Sequence, residues 1–179
     1  KNLPARGMIA IFNRSYYEDV LVVKVDKLYK NYNMAARCLK PKELFKKRYK
    51  HIRDYEEYLF DNSDRIVKIY LNVSKEKQKD RVLERINMPE KNWKFSGSDL
   101  TVRAQWEEYD KVYEETINNT ATEDAPWYVI PADQKWYSRY LVSEAILDAL
   151  KKIDPRYPKM SEEETKKLDE YRQALETEK

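Results

Sequence analysis

The chain has 179 residues, of which 37% are charged, and its 35 basic and 32 acidic side chains leave a formal net charge of only +3. At this length we expect one domain with a substantial core. The nearly equal numbers of basic and acidic residues give no general sign of a polyanionic partner. One cysteine and one histidine exclude a disulfide framework and argue against a zinc site. No apolar run reaches membrane-spanning length and no secretory pattern occurs, so we expect a cytoplasmic protein without a membrane partner.

Two apolar runs, residues 8–12 and 20–23, stand near the start of the chain. Their β-branched residues predict strands of a parallel sheet, and polar residues at the carboxyl end of such strands lie where open α/β sheets bind ligands. Seven residues separate the runs, and among them are Asn13, Arg14, Glu18 and Asp19. An amide, a guanidinium and two carboxylates suit phosphate and a divalent metal, although they suit a surface turn with paired charges equally well.

The next predicted elements are a helix from about Lys42, a strand over residues 65–73 and a second helix from Ser74 to about Asn87. The single histidine lies beside the apolar stripe of the first helix, where we expect it to be partly buried. On the second helix three basic residues recur every four positions and share one face: Lys77, Arg81 and Arg85. They predict either a solvated face balanced by acidic neighbours or a basic surface for an anionic substrate.

A short irregular segment, residues 88–99, follows that helix. Pro89 ends the helix, and Lys91 and Lys94 flank Trp93. Cations at the tip of a segment between two helices resemble the lid of nucleotide-kinase-like folds, and lids close over phosphates to exclude water. The alternative is an ordinary hydrophobic anchor for a loop.

The last third of the chain predicts a helix over residues 99–118, with Val102, Trp106, Tyr109, Tyr113 and Ile117 as its core stripe, and a strand over residues 127–130. Asp133 is the expected cap of a helix over residues 134–153. Lys135 lies in the first turn of that helix, a position that favours anions. Ser161 and Glu164 form a capping box for a final helix, whose narrow apolar stripe suggests docking on another subunit and hence a homo-oligomer.

Several of these stretches resemble one known family. Residues 12–22, Phe-Asn-Arg-Ser-Tyr-Tyr-Glu-Asp-Val-Leu-Val, resemble the second-motif region of polyphosphate kinase family 2. Three later stretches resemble the family in the same order: residues 83–86, 89–96 and 125–137. The resemblance covers roughly residues 4–158.

The resemblance implies a P-loop-kinase-like three-layer α/β/α fold, related to thymidylate kinase, with a parallel sheet and a helical lid at about residues 75–100. It implies a partial family core over residues 1–158 and a separate C-terminal helix over residues 159–179. The family's glycine-rich first phosphate motif does not occur, so the chain is expected to be the carboxyl-terminal part of such an enzyme, with its N-terminal part missing.

The same resemblance implies magnesium-dependent phosphoryl transfer between inorganic polyphosphate and adenine or guanine nucleotides, either ADP and AMP or GDP and GMP. Asp19 is the first candidate to hold the magnesium ion or orient the acceptor phosphate, with Glu18 behind it. Arg14 is expected to contact a phosphate. Asn13 stands where many members have aspartate, so its place as a metal ligand is open. The expected polyanion-binding residues are Arg81, Arg85, Lys91, Lys94 and Lys135.

Two other functions are compatible with the residues. Without the first motif, the chain could be an inactive fragment that serves as a polyanion-binding or oligomerisation module. A nucleic-acid-binding protein fits the lysine and tyrosine content, but the small net charge and the lack of a recognition motif mean that we expect no nucleic-acid partner.

Overall fold

The computed structural model describes residues 3–178, in which a two-stranded parallel sheet is combined with helices. The strands are Lys68–Asn72 (β1) and Trp127–Pro131 (β2). The helices are Val22–Val25 (α1), Pro41–Asp61 (α2), Lys75–Asn87 (α3), Ser98–Ala104 (α4), Trp106–Thr120 (α5), Lys135–Ile153 (α6) and Glu162–Thr177 (α7). Short 3-10 turns cover Tyr16–Asp19, Leu28–Asn31, Ala36–Cys38 and Pro89–Lys94.

The sheet confirms the strands predicted at residues 65–73 and 127–130, with shorter bounds for the first. β1 and β2 pair in parallel, from Lys68 opposite Trp127 to Asn72 opposite Pro131. Parallel neighbours need a long crossover connection, and α3, α4 and α5 provide it. The carboxyl ends of both strands therefore lie at the same edge of the sheet.

The core is built on one face of α2. Its buried side chains recur every three or four residues, which places them along one stripe: Leu44, Phe45, Tyr49, Ile52, Glu56 and Leu59. The apolar members of the stripe up to Ile52 belong to one cluster with the apolar run around Val20, which is fully buried. Burial of one such side chain contributes about 1.5–3 kcal/mol, so this face holds α2 in place. The predicted helix is confirmed, but His51 is exposed rather than partly buried because it lies off the stripe.

The apolar run at residues 20–23 is buried as expected, but the predicted strand is wrong. The chain continues from the turn Tyr16–Asp19 into α1. The amides of Leu21 and Val25 donate to the carbonyls of Tyr17 and Leu21, so the backbone is satisfied locally. A run of four apolar residues has no periodicity that separates a buried helix from a buried strand.

The strand predicted at residues 8–12 is also wrong. This segment has no strand pairing within residues 3–178, and its large side chains are exposed, 70% for Ile9 and 87% for Ile11. A strand exists only when a neighbour accepts and donates its backbone hydrogen bonds, a condition that apolar composition does not reveal.

The helix predicted over residues 99–118 is divided at Gln105 into α4 and α5. Val102, expected in the core, is 45% exposed, and the predicted stripe on α5 is only half-buried. The buried positions of α5 are Val112, Thr116 and Thr120. The Thr120 hydroxyl donates to the Thr116 carbonyl at 2.7 Å, so two polar residues occupy core positions without an unmet hydrogen bond.

Buried and partly buried tyrosines give the fold a predictable sensitivity to alkali. Burial raises the pKa of Tyr70 to about 12, and raises the pKa values of Tyr16 and Tyr17 above the usual tyrosine range. The folded state therefore keeps protons that the unfolded chain releases above pH 10, and the free energy of unfolding falls as the pH rises from 10 to 12. Burial lowers the pKa of Lys68, so this group makes the free energy of unfolding rise with pH. That rise ends near pH 10.5, the usual pKa of a lysine in an unfolded chain.

We expect Tyr70→Phe to reduce the alkaline slope. One group changes the slope by at most about 1.4 kcal/mol per pH unit, and by less where solvent screens it. Urea unfolding between pH 10 and 12 measures the slope, and Tyr157→Phe is the control because that side chain is 95% exposed. Equal slopes in the two variants contradict the prediction.

The final helix, α7, begins with the predicted capping box, in which Ser161 and Glu164 bond each other's backbone amides. All of its described residues are exposed, including the apolar stripe of Leu168, Tyr171 and Leu175. Among the residues that the structure describes, no helix has the length and apolar character needed to cross a membrane.

Candidate active site

Arg14 lies at a sharp bend between the exposed segment 8–12 and the turn Tyr16–Asp19. Its φ of 76° is in the left-handed region, which is uncommon for residues other than glycine and marks a backbone held by its surroundings. Ser15 then caps the turn, because its hydroxyl accepts a hydrogen bond from the amide of Tyr17. The bend and the cap together present Arg14 and Glu18 on the same side of the chain.

Arg14 and Glu18 face a common cavity of about 300 Å³. The opposite wall belongs to β1 and carries Ile69, Tyr70 and Leu71. The remaining lining residues are Phe12, Ser15, Tyr17, Leu21, Tyr113 and Trp127. A guanidinium and a carboxylate thus lie in a cleft with largely aromatic and aliphatic walls, a setting that strengthens electrostatic interactions with a bound group.

Tyr113 reports the charges in this cleft. Burial raises the pKa of its hydroxyl, the Glu18 carboxylate raises it further, and the Arg14 guanidinium lowers it. Tyr113 also stacks on Tyr70 with ring centroids 4.4 Å apart, so α5 and β1 form one aromatic wall. The charges of Arg14 and Glu18 therefore both act on the aromatic wall of the cleft.

Two further predicted residues do not line this cavity. Asn13 and Asp19 are both exposed. The backbone carbonyl of Asp19 accepts a hydrogen bond from Arg48, which fixes the main chain and leaves the carboxylate toward solvent. Within residues 3–178 no three histidine, cysteine, aspartate or glutamate side chains converge as a metal site. The structure brings together Arg14 and Glu18, but not the pair predicted to hold the metal.

A buried polar cluster lies behind the turn and was not predicted. Glu56 of α2 forms an ion pair with Lys68 of β1 at 2.7 Å, and both side chains are at least 95% buried. The hydroxyls of Tyr16 and Tyr17 each donate to the Glu56 carboxylate at 2.8 Å. The only hint in the sequence is that Glu56 occupies a position of the apolar stripe, between Ile52 and Leu59.

Arg81 is held at the carboxyl ends of the two strands. Its guanidinium donates to the carbonyls of Ala132 and Asp133, at 2.6 and 3.2 Å. The prediction that Asp133 caps α6 is wrong. Its carboxylate instead accepts a hydrogen bond from the amide of Ser74 at 2.8 Å. That hydrogen bond holds the pKa of Asp133 below its usual value. The hydrogen bonds of Arg81 and Asp133 thus join α3 and its cap Ser74 to the end of β2.

We expect Arg81→Ala to lower the free energy of unfolding by about 1.5–3 kcal/mol, because hydrogen bonds from a charged donor to buried carbonyls are lost. Arg85 on the next turn of α3 is the matched control. Its distance to Asp99 is 3.6 Å and both side chains are partly exposed, so Arg85→Ala should cost about 1 kcal/mol or less. Chemical denaturation of both variants measures the difference, and equal losses contradict this account of Arg81.

Of the remaining predicted cations, Lys91 and Lys94 lie in the segment between α3 and α4, and Lys135 is the first residue of α6. Lys91 pairs with Glu84, and Lys94 lies over the ring of Trp93 at 4.9 Å. The hydrogen bond from Lys91 lowers the pKa of Glu84. Trp93 is 77% exposed, so it is not the hydrophobic loop anchor considered as an alternative.

Comparison with known proteins identifies the class to which this fold and site belong. The profile of the polyphosphate kinase 2 (PPK2) family matches residues 1–158. The chain therefore belongs to the polyphosphate kinase 2 family, and the family predicted from the sequence is confirmed.

Individual relatives agree with this assignment. The chain is 43% identical over 158 residues to an AMP/ADP-polyphosphate phosphotransferase of Meiothermus ruber, a match that covers 88% of this chain and 55% of that protein. It is 42% identical over 176 residues to an ADP-polyphosphate phosphotransferase of Rhodopseudomonas palustris, covering 98% and 61% of the two chains. The chain thus spans little more than half the length of these relatives.

The crystal structure of polyphosphate kinase 2 from Arthrobacter aurescens is also similar to this chain. The TM-score is 0.78 at 40% sequence identity, and the match covers 89% of this chain and 52% of that one. This similarity confirms the predicted P-loop-kinase-like α/β fold class.

Proposed function

We propose that this chain forms part of a polyphosphate-dependent nucleotide kinase, which transfers a phosphoryl group between inorganic polyphosphate and ADP or AMP. The observation that carries the proposal is the cavity that holds Arg14 and Glu18 against β1 in a chain of this family. The polyphosphate phosphotransferases of Meiothermus ruber and Rhodopseudomonas palustris, to which the chain is similar, suggest the substrate class.

The protein's contribution to such a transfer is positioning and charge neutralisation. Arg14 offers an exposed guanidinium at the cavity that can bind two phosphate oxygens at once, which would orient a terminal phosphate for in-line attack. The left-handed backbone at Arg14 and the cap at Ser15 define the main-chain position from which this side chain reaches the cavity. Arg14 and Glu18 are the residues closest to the chemistry in this proposal.

A magnesium ion fits the oxygen donors near this turn. The ion takes few protein carboxylates and keeps waters and substrate phosphates as its other ligands, so it does not require three converging acidic side chains. Glu18 would supply a carboxylate from the cavity lining, whereas Asp19 and Asn13, which are exposed outside that lining, would supply a carboxylate and an amide oxygen only if their side chains turned toward the ion. When bound, the ion would supply charge neutralisation at the transferred phosphate.

The outer cations form the second part of the proposal. Arg85, Lys91, Lys94 and Lys135 would bind the polyphosphate chain from a lid at about residues 75–100. Arg81 would act at the base of that lid through its contacts with the end of β2. Residues 1–158 would be the family core, and α7 in residues 159–179 would dock on a second subunit of a homo-oligomer. Guanine nucleotides as alternative acceptors and a cytoplasmic location complete the proposal.

The test uses the complete gene product that contains these 179 residues. We expect ATP to form when it is incubated with polyphosphate, magnesium and ADP, and ADP to form from AMP, with GDP and GMP assayed beside them. Chelation by EDTA should stop the reaction, and added magnesium should restore it. The intact mass of the purified protein, measured by mass spectrometry, establishes the length of the polypeptide in the assay. If polyphosphate yields no nucleotide product under any of these conditions, the proposal is wrong.

A further inference from the structure

The strongest unassigned feature of the molecule is the buried polar cluster behind the Arg14 turn. We infer that Glu56 and Lys68 are positioning residues, which hold the turn Tyr16–Asp19 and through it the orientation of Arg14 and Glu18. This inference rests on the proposed function, because it assigns these residues a part in the same site. They are not placed against substrate themselves.

The geometry of the carboxylate carries the first step. A single oxygen of Glu56 accepts both tyrosine hydroxyls, and the other oxygen accepts the Lys68 ammonium. Tyr16 and Tyr17 are adjacent in the chain, and their rings stack with centroids 5.1 Å apart. Two neighbouring side chains can reach one oxygen only from a tight turn, so the carboxylate selects the backbone conformation of the turn.

The Lys68 ammonium group holds the Glu56 carboxylate in position. Lys68 also donates to the carbonyl of Thr120 at 2.8 Å, and its ammonium lies between the rings of Tyr17 and Trp127, at 5.7 and 5.5 Å. The indole of Trp127 donates to the Thr120 hydroxyl at 2.9 Å. The cluster therefore joins the turn to α2, β1, α5 and β2.

The cluster is placed where orientation matters. Tyr16 comes two residues after Arg14, and Glu18 follows Tyr17 directly. Tyr17 and Trp127 belong both to the cluster and to the lining of the cavity. Lys68 precedes Ile69, the first β1 residue on the opposite wall. The same charge pair thus sets the positions of both walls, which a pair serving only stability would not need to do.

The test removes hydrogen bonds without leaving a buried charge. In the complete gene product, the double variant Tyr16→Phe/Tyr17→Phe should lower kcat by about tenfold or more, with a smaller change in KM, because the reacting groups lose alignment rather than contact. Tyr58→Phe is the matched control, since it removes a tyrosine hydroxyl from an exposed side chain of α2.

A second readout does not depend on activity. Trypsin cleaves after Arg14 and after Arg156, and the second bond lies in an exposed connection that serves as the internal reference. Mass spectrometry of a brief digest gives the ratio of the two cleavages. We expect the ratio to rise several-fold in the double tyrosine variant and to stay unchanged in the control, at a temperature well below thermal unfolding.

The outcomes separate the two proposals. A raised cleavage ratio together with a lower kcat supports the inference. A raised ratio in a protein whose unsubstituted form transfers no phosphoryl group supports the link between cluster and turn and overturns the proposed function. If the double variant loses thermal stability but keeps both kcat and the cleavage ratio of the unsubstituted protein, the cluster is merely structural and the inference is overturned.

Discussion

Arg14→Ala in the complete protein is expected to lower kcat for phosphoryl transfer from polyphosphate by a hundredfold or more. The guanidinium is the only cationic side chain that lines the cavity among the described residues, so no neighbour can replace it. Removal of one preorganised contact to the charge that develops in a transition state costs about 2.7–4 kcal/mol. Arg14→Lys should recover part of the activity, because it restores the charge without the planar fork.

The control for this prediction is Arg37→Ala, which removes an exposed arginine from a 3-10 turn remote in sequence from the Arg14 turn. Steady-state kinetics with polyphosphate in excess measures kcat, and thermal unfolding of the same samples measures stability. Alanine at residue 14 keeps the left-handed backbone penalty that arginine already has, so stability should change little. A variant that loses stability and retains its kcat would remove Arg14 from the site.

The second large effect is on stability. We expect Glu56→Leu to lower the free energy of unfolding by about 3–5 kcal/mol, because it leaves the Lys68 ammonium buried without a counter-ion. The paired substitution Glu56→Leu/Lys68→Met should recover a substantial part of that loss, since it removes both charges. A residual loss remains, because the Tyr16 and Tyr17 hydroxyls have no acceptor.

Urea unfolding at pH 7 of the unsubstituted protein, both single variants and the double variant gives the coupling energy of the pair. Asp54→Asn on the same helix is the matched control. Its ion pair with Lys50 is exposed on both sides, so the loss should stay below about 1 kcal/mol. Additive losses at Glu56 and Lys68 would show that the ion pair does not couple these two positions.

Local patterns predicted the parts of the fold that depend on local interactions. Ser74 and Ser161 mark helix starts because their hydroxyls accept from amides in their own first turns. The stripe of α2 follows from helical periodicity. The prediction at residues 8–12 failed because strand formation depends on a neighbour, and the one at residues 20–23 failed because a short apolar run fits either structure.

The site was predictable to the extent that its residues are adjacent in the chain. Arg14 and Glu18 were found from one contiguous motif, and the structure gives them a common cavity. Glu56 and Lys68 were missed because their partners lie far along the chain, up to 40 residues away for Tyr16 and 52 for Thr120. A lone charged residue in an apolar pattern does not reveal which distant group neutralises it.

The polar cluster has a further consequence for the timing of events at this site. A surface loop usually opens at little free-energy cost, independently of the rest of the domain. The turn after Arg14 cannot do so, because Tyr17 would have to leave the Glu56 carboxylate. Lys68 holds that carboxylate from 12 residues along the chain and is itself bonded to Thr120, 52 residues further on. Its opening is therefore coupled to disruption of the core, and an arriving substrate meets a turn whose conformational entropy was already lost when the protein folded.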